Sequence, residues 1–173
     1  MKIEIREKLA GSILDIGGGG ECVIGQIYGD RVTAIDNSPE ELEEAPDCCE
    51  KRLMDATELD FPAESFDNVT FFYSLMYMTG DTQKKAVREA VRVLRTGGML
   101  LIWDADIPSA YPDPYIVDLD ISSERVILHT SYGIVKNETQ KRETILGFLE
   151  ETGQHAFRVS ENGGQFRICC RKT

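Results

Sequence analysis

The sequence predicts one α/β domain around a doubly wound, mostly parallel sheet that ends in an antiparallel hairpin. Three observations carry this expectation. From Ser12 to Asp104, short apolar runs of strand length alternate with stretches of helical period, the pattern of parallel strands joined by crossover helices. The first apolar run ends in four consecutive glycines, Gly17 to Gly20, which no helix or strand interior tolerates well but a tight strand-to-helix turn uses. The chain closes on "HAFRVS" and "QFRICCRK", two alternating runs around "ENGG", a hairpin signal.

Each element has its own signal. "SILDI" is a buried strand stopped by the glycines, and Cys22, Val23, Ile24, Ile27 and Tyr28 follow at helical spacing until Gly29. "RVTAID" is the second strand. In "NSPEELEEAP", Ser38 is the N-cap, Pro39 the first helical residue and Glu41 the far corner of a capping box, with Pro46 ending the helix. "KRLMD" is a short third strand and "FDNVTFFY" a fourth. A helix over 82–95 presents Val87, Ala90, Val91 and Leu94 as one apolar stripe, Gly97 and Gly98 end it, and "MLLIWD" is the fifth strand. "IPSAYPDPYIVDLD" reads as a proline-rich loop, "RVILHTSY" as an extra strand, and "NETQKRETILGFLEETG" as a helix closed by Gly153.

The 173 residues suit one domain, 1–173, within which 107–135 form an insert placed to cover a substrate. With a formal net charge of −11 and no local Lys/Arg cluster, the surface repels phosphate backbones, which argues against a nucleic-acid partner. No apolar stretch is long enough to span a bilayer, and the start of the chain lacks the apolar core of a signal peptide, so no membrane association and a cytoplasmic location are expected. The five cysteines form no C-x-x-C pair and His129 and His155 lie far apart, so no metal site is expected and the thiols read as reduced core residues. Cys22 alone lies beside the glycine loop.

In a doubly wound (Rossmann-like) sheet, ligands sit beyond the carboxyl ends of the strands, beside the first. The dinucleotide spacing G-x-G-x-x-G fails here: from Gly17 the third glycine falls on Cys22, and from Gly18 on Val23. Asp15 also sets a carboxylate where a pyrophosphate would lie, so a ligand bearing positive charge suits the loop better. Asp36 ends the second strand, where a carboxylate can accept hydrogen bonds from both ribose hydroxyls. Asp55 follows the third strand, placed to accept from an adenine amine. Three acids at three strand ends would line one side of a cleft.

Together these segments resemble a class I S-adenosylmethionine-dependent methyltransferase of the small-molecule, ubiquinone- and menaquinone-biosynthesis-like type. "ILDIGGGGE" is similar to the first motif of that family, "VTAIDNSPEEL" to the second, "DATELDFPAESFDNVTFFYSLMYM" to the adenine-side segment and fourth strand, and "AVREAVRVLRTGGMLLIWD" to the helix and fifth strand. The resemblance implies a seven-stranded sheet whose last strand is antiparallel and lies beside the fifth. It implies S-adenosyl-L-methionine as cofactor, with Gly17, Gly18 and Gly19 along its methionine part and Asp15 near the amino end. Asp36 would hold the ribose, Asn37 and Ala56 would flank the adenine, Asp55 would meet its amine, and Tyr73 would face the sulfonium. The implied activity is in-line methyl transfer to a small-molecule acceptor, less readily to a protein. The alternative is a cofactor-binding or regulatory protein of the same fold with impaired catalysis.

The chain departs from the family pattern where Glu21 replaces the third glycine, where Phe71 and Phe72 replace small residues, and where Met76 and Tyr77 replace frequent histidines. The helical cap that often precedes the first strand is not present before Ser12, so the pocket is expected to be open or completed by another chain, making an oligomer a partner to consider. No general base stands out. Tyr77, Asp81, His129 and Tyr132 are candidates by position only, His129 reading better as a half-exposed strand residue.

Overall fold

The computed structural model describes residues 2–108 and 111–173; Ser109 and Ala110, inside the expected 107–135 insert, lie outside the described residues. A short strand β1 (Lys2–Glu4) comes first, then β2 (Ile13–Ile16), α1 (Val23–Tyr28), β3 (Val32–Asp36), α2 (Pro39–Glu44), β4 (Glu50–Leu53) and β5 (Phe66–Phe72). There follow α3 (Gly80–Val93), β6 (Leu94–Ala105), β7 (Tyr115–Ser122), β8 (Ile127–Ile134), α4 (Arg142–Glu151), β9 (Phe157–Asn162) and β10 (Gln165–Arg171). The main sheet has seven strands in the order β4-β3-β2-β5-β6-β10-β9. Strands β2 to β6 run parallel, and β10 is antiparallel between β6 and β9. The seven-stranded doubly wound sheet and its C-terminal hairpin are thus as the sequence led us to expect.

Side chains alternate across this sheet, as strand geometry requires. Leu14, Ile16, Val69, Phe71, Leu100 and Ile102 face the apolar stripe of α3 (Ala86, Val87, Ala90, Val91) and Ile145 and Leu149 of α4. Ile13, Ala34, Leu101 and Trp103 point the other way, onto Val23, Ile24 and Ile27 of α1 and onto Val117, Leu119 and Ile121 of β7. The second face is therefore covered partly by a separate three-stranded sheet, order β1-β7-β8, and not by helices alone.

Three local expectations need correction. Residues from Tyr115 onward are strand β7 and not loop, because Val117, Leu119 and Ile121 alternate inward to the core and β8 pairs antiparallel alongside. The prolines at 112 and 114 lie just before this strand, where they interrupt no ladder. Helix α3 ends at Val93, not near Arg95, and β6 starts at Leu94, running straight through Gly97 and Gly98. Leu94 already pairs with Phe66, the register shifts between Phe66 and Asn68, and Gly97 takes φ +81° while donating its amide to the Lys172 carbonyl. The capping box of α2 is half formed. The Ser38 hydroxyl accepts from the Glu41 amide at 3.2 Å, but the Ser38 amide donates to Asp36 Oδ1 at 3.0 Å instead of to Glu41.

Candidate active site

A cleft of about 1070 Å³ opens over the carboxyl ends of β2, β3, β4 and β5, and its walls carry the residues singled out above. Asp15, Gly17, Gly18, Gly19, Asp36, Asn37, Asp55, Ala56 and Tyr73 all line it. β2 lies between β3 and β5, so the cleft sits where the strand order reverses direction.

The glycine loop is packed from several sides, and its bare backbone is a steric requirement. Gly17 has φ +74°, and a Cβ there would stand 2.3 Å from the Cβ of Ser74, whose hydroxyl is already bonded to the Ile16 carbonyl at 2.6 Å. A Cβ on Gly19 would meet the Glu41 side chain at 2.6 Å and Asp36 Oδ2 at 2.9 Å. The loop is tied down by the Gly17 and Gly18 amides, which donate to the Ile35 carbonyl, and by the Gly20 amide, which donates to the Glu41 carbonyl.

The three strand-end acids have different environments. Asp15 is 2% exposed and Oδ1 accepts from the Thr70 hydroxyl at 2.7 Å. Burial pushes its carboxyl up to about 7, against the pull of that hydrogen bond. Asp36 is half-buried and oriented by two amides, Gly19 at 3.2 Å and Ser38 at 3.0 Å. Asp55 is exposed; the amide and hydroxyl of Thr57 both donate to Oδ1 at 2.8 Å, which holds the carboxyl below its usual range. Its Oδ2 makes none of these bonds and can accept from a ligand.

Among the described residues, six acids line the cleft, Asp15, Glu21, Asp36, Glu41, Glu44 and Asp55, and no Lys or Arg does. Such a donor set fits S-adenosylmethionine, which carries a sulfonium, an amino group and two ribose hydroxyls. The bare glycine backbone fits its chain as well.

At the far end of the cleft the aromatic residues gather. Tyr73 has φ +52°, its hydroxyl donates to Gln165 Oε1 at 2.6 Å, and its ring stacks on Tyr132 at 5.5 Å between centroids. One face of the ring expected to meet a sulfonium is thus covered by a second phenol. Tyr77 lines the cleft together with Gly133 of β8 and is 50% exposed. Burial raises the pKa of Tyr73, Tyr77 and Tyr132 alike. Two other base candidates lie elsewhere. Asp81 is an exposed residue in the first turn of α3, and His129 is on the outer side of β8, its Nδ1 3.0 Å from Asp120 Oδ1. Neither lines the cleft.

Sequence reasoning missed several contacts. The Glu21 carboxylate accepts from the Thr130 hydroxyl on β8, joining the glycine loop to the small sheet. Asp104, fully buried at the end of β6, accepts from the amides of Met76 and Ala105 and from Gln140 Nε2. It fixes the chain that follows β5, and its carboxyl is pushed up to about 6 by burial. Cys22 also meets Cys48 and Cys49, an approach that no local spacing announces.

Comparison with known proteins agrees with this geometry. The family model described as "Methyltransferase domain" matches residues 14–102. No curated protein matches the chain. Among solved structures, a Thermotoga maritima protein described as an S-adenosylmethionine-dependent methyltransferase, possible histamine N-methyltransferase, superposes with TM-score 0.69 at 16% identity, over 95% of this chain and 83% of its own. A Methanosarcina mazei S-adenosylmethionine-dependent methyltransferase gives 0.62 at 19% identity, over 96% and 94%. One from Mesorhizobium loti gives 0.65 at 16%, over 96% and 93%. At such identities these structures speak for the fold. The family match spans more than half of the chain, from β2 through most of β6, and includes the glycine loop and all three strand-end acids: the chain belongs to the methyltransferase-domain family, in the class I, S-adenosylmethionine-dependent group.

Proposed function

We propose that this chain transfers a methyl group from S-adenosylmethionine to a small-molecule acceptor that is neutral or cationic. The observation that carries this reading is a single cleft with bare glycine backbone on one wall, three strand-end acids and no cationic side chain on its lining. Asp15 and the Gly17–Gly19 backbone hold the methionine end, Asp36 the ribose, and Asn37, Asp55 and Ala56 the adenine. When bound, the cofactor supplies a methyl group made electrophilic by the adjacent sulfonium, open to in-line displacement.

The protein's part is approach geometry and exclusion of water. The acceptor enters beside Tyr73, Tyr77 and Tyr132, and Ser131 to Gly133 of β8 act as its cover. Anionic acceptors are disfavoured because the lining carboxylates would repel them with no cation to offset the cost. The three phenols stay protonated at neutral pH and do not serve as bases, which favours an acceptor whose attacking atom already has a free lone pair.

Calorimetry with S-adenosylmethionine and its demethylated product tests the cofactor assignment. Binding that weakens by about 10–100-fold in Asp36→Ala is expected from the loss of charged hydrogen bonds. No binding of either compound at millimolar concentration would sink the proposal. Methyl transfer is then read by mass spectrometry across neutral, cationic and anionic acceptors. A preference for the anionic set would overturn the acceptor class.

A further inference from the structure

Outside the strand-end acids, the most concentrated chemistry in the molecule is a group of three thiols on the α1 side of the sheet. Cys22 is the residue before α1, and Cys48 and Cys49 lead into β4. Cys22 Sγ is 3.5 Å from Cys49 Sγ and 3.9 Å from Cys48 Sγ, and all three sulfurs lie within 4.8 Å of one another. From these distances we propose that Cys22, Cys48 and Cys49 form a trithiolate site for a soft metal ion, Zn²⁺ in the first instance.

Geometry supports the assignment. Tetrahedral thiolates at a Zn–S distance of about 2.3 Å stand about 3.8 Å apart, and the separations of Cys22 Sγ from its two neighbours, 3.5 and 3.9 Å, bracket that value. A disulfide instead needs its sulfurs at about 2.05 Å and would leave the third thiol unused.

The surrounding backbone is shaped to the sulfurs. Gly25 lies within α1, and a Cβ there would stand 2.5 Å from Cys22 Sγ, 2.7 Å from Cys49 Sγ and 3.1 Å from Cys48 Sγ. A single missing methyl thus makes room for all three. Cys22 also adopts the left-handed conformation, φ 48° and ψ 49°, which costs an L-residue about 1–2 kcal/mol and turns its side chain toward the other two. Apolar packing alone demands no such conformation.

Access and charge are compatible. Cys22 is buried, whereas Cys48 and Cys49 are half-exposed, so an ion can arrive from solvent past the residues after α2. On coordination each thiol gives its proton to solvent, so one Zn²⁺ displaces three protons and the loaded site carries a net charge of −1. The fourth coordination position is left to water. Because Cys22 and Pro46 both line the cleft, an ion here would clamp the end of the glycine loop to the segment after α2.

Reduced, chelator-treated protein titrated with Co²⁺ should develop thiolate-to-cobalt charge-transfer absorption that saturates at a single ion per chain and is bleached by Zn²⁺. Cys48→Ser and Cys49→Ser should each lose that band while keeping the wild-type circular dichroism spectrum, and a Cys169→Ser/Cys170→Ser double variant should keep it. Absence of the band in wild-type protein, or its persistence in both single variants, overturns the site. X-ray absorption of the Zn²⁺-loaded wild type gives a reading that needs no variant to fold: three sulfur scatterers at about 2.3 Å are expected, and fewer than three overturn it. None of these readouts depends on methyl transfer.

Discussion

Asp15→Asn separates what the site costs from what it does. The carboxyl is 2% exposed and keeps a hydrogen bond from Thr70 at 2.7 Å. Asparagine preserves an acceptor oxygen for that bond and removes only the charge. The carboxyl's ordinary value is 3.8 and burial raises it to about 7. At 1.36 kcal/mol per unit, ionising Asp15 in the folded chain costs about 4 kcal/mol. Between these two values the native state holds a proton that the unfolded state has released, so wild-type stability falls as pH rises from about 4 to about 7 and the loss is complete above that. The variant has no such term. Paired urea denaturation of reduced, metal-stripped proteins should give nearly equal stabilities at pH 4 and an advantage for Asp15→Asn of about 2–4 kcal/mol at pH 8. Cofactor binding should move the opposite way, weakening by about 10–100-fold at pH 8 through loss of a charged partner for the amino group. A stability difference that does not change with pH would refute the burial argument. A more stable variant that binds the cofactor as well as wild type would refute the role of Asp15 in the site.

Two further substitutions probe the walls. Gly19→Ala places a Cβ 2.6 Å from the Glu41 side chain and 2.9 Å from Asp36 Oδ2, and displacing that acid should weaken cofactor binding by at least about 10-fold in calorimetry, with a smaller effect on the unfolding midpoint. Asp104→Ala strips the acceptor from the Met76 amide and Gln140 Nε2 inside the core; chemical denaturation at pH 4, where burial adds no ionisation cost to the wild type, should show a loss of about 2–4 kcal/mol, and an unchanged midpoint there would mean the network is dispensable.

The sequence was most readable where local chemistry and tertiary role coincide. The glycine loop, the strand-end acids and the terminal hairpin each carry a signal confined to a few residues, and the cleft brings all three acids together. Readability fell where a pairing partner decides the outcome. Tyr115 to Ser122 follows two prolines and looks like loop, but β1 and β8 supply partners on both sides of it. Leu94 carries a helical stripe signal, yet its pairing with Phe66 draws it into β6. The cysteine cluster shows the same limit: Cys22 is separated from Cys48 and Cys49 by α1, β3 and α2, and the parallel order β4-β3-β2 brings them together.

The departures from the family pattern become one feature when traced through the structure. Glu21, which replaces the third glycine, is held by Thr130. Tyr73, which follows the bulky Phe71 and Phe72, stacks on Tyr132. Tyr77, in place of a frequent histidine, lines the cleft together with Gly133. Thr130, Tyr132 and Gly133 all lie within four consecutive positions of β8, the edge strand of the small sheet among the described residues. A small residue at 21 or 77 would surrender its contact with that strand, leaving more of the small sheet's hold on the core to β7 and to Leu128, Tyr132 and Ile134. The departures at the mouth of the cleft and the added strands are therefore structurally linked: the loop residues contact the wall, and the wall holds them at the mouth of the cleft. Under the function proposed above, acceptor choice would reside in β8 and its contacts, and the glycines and strand-end acids would serve the cofactor.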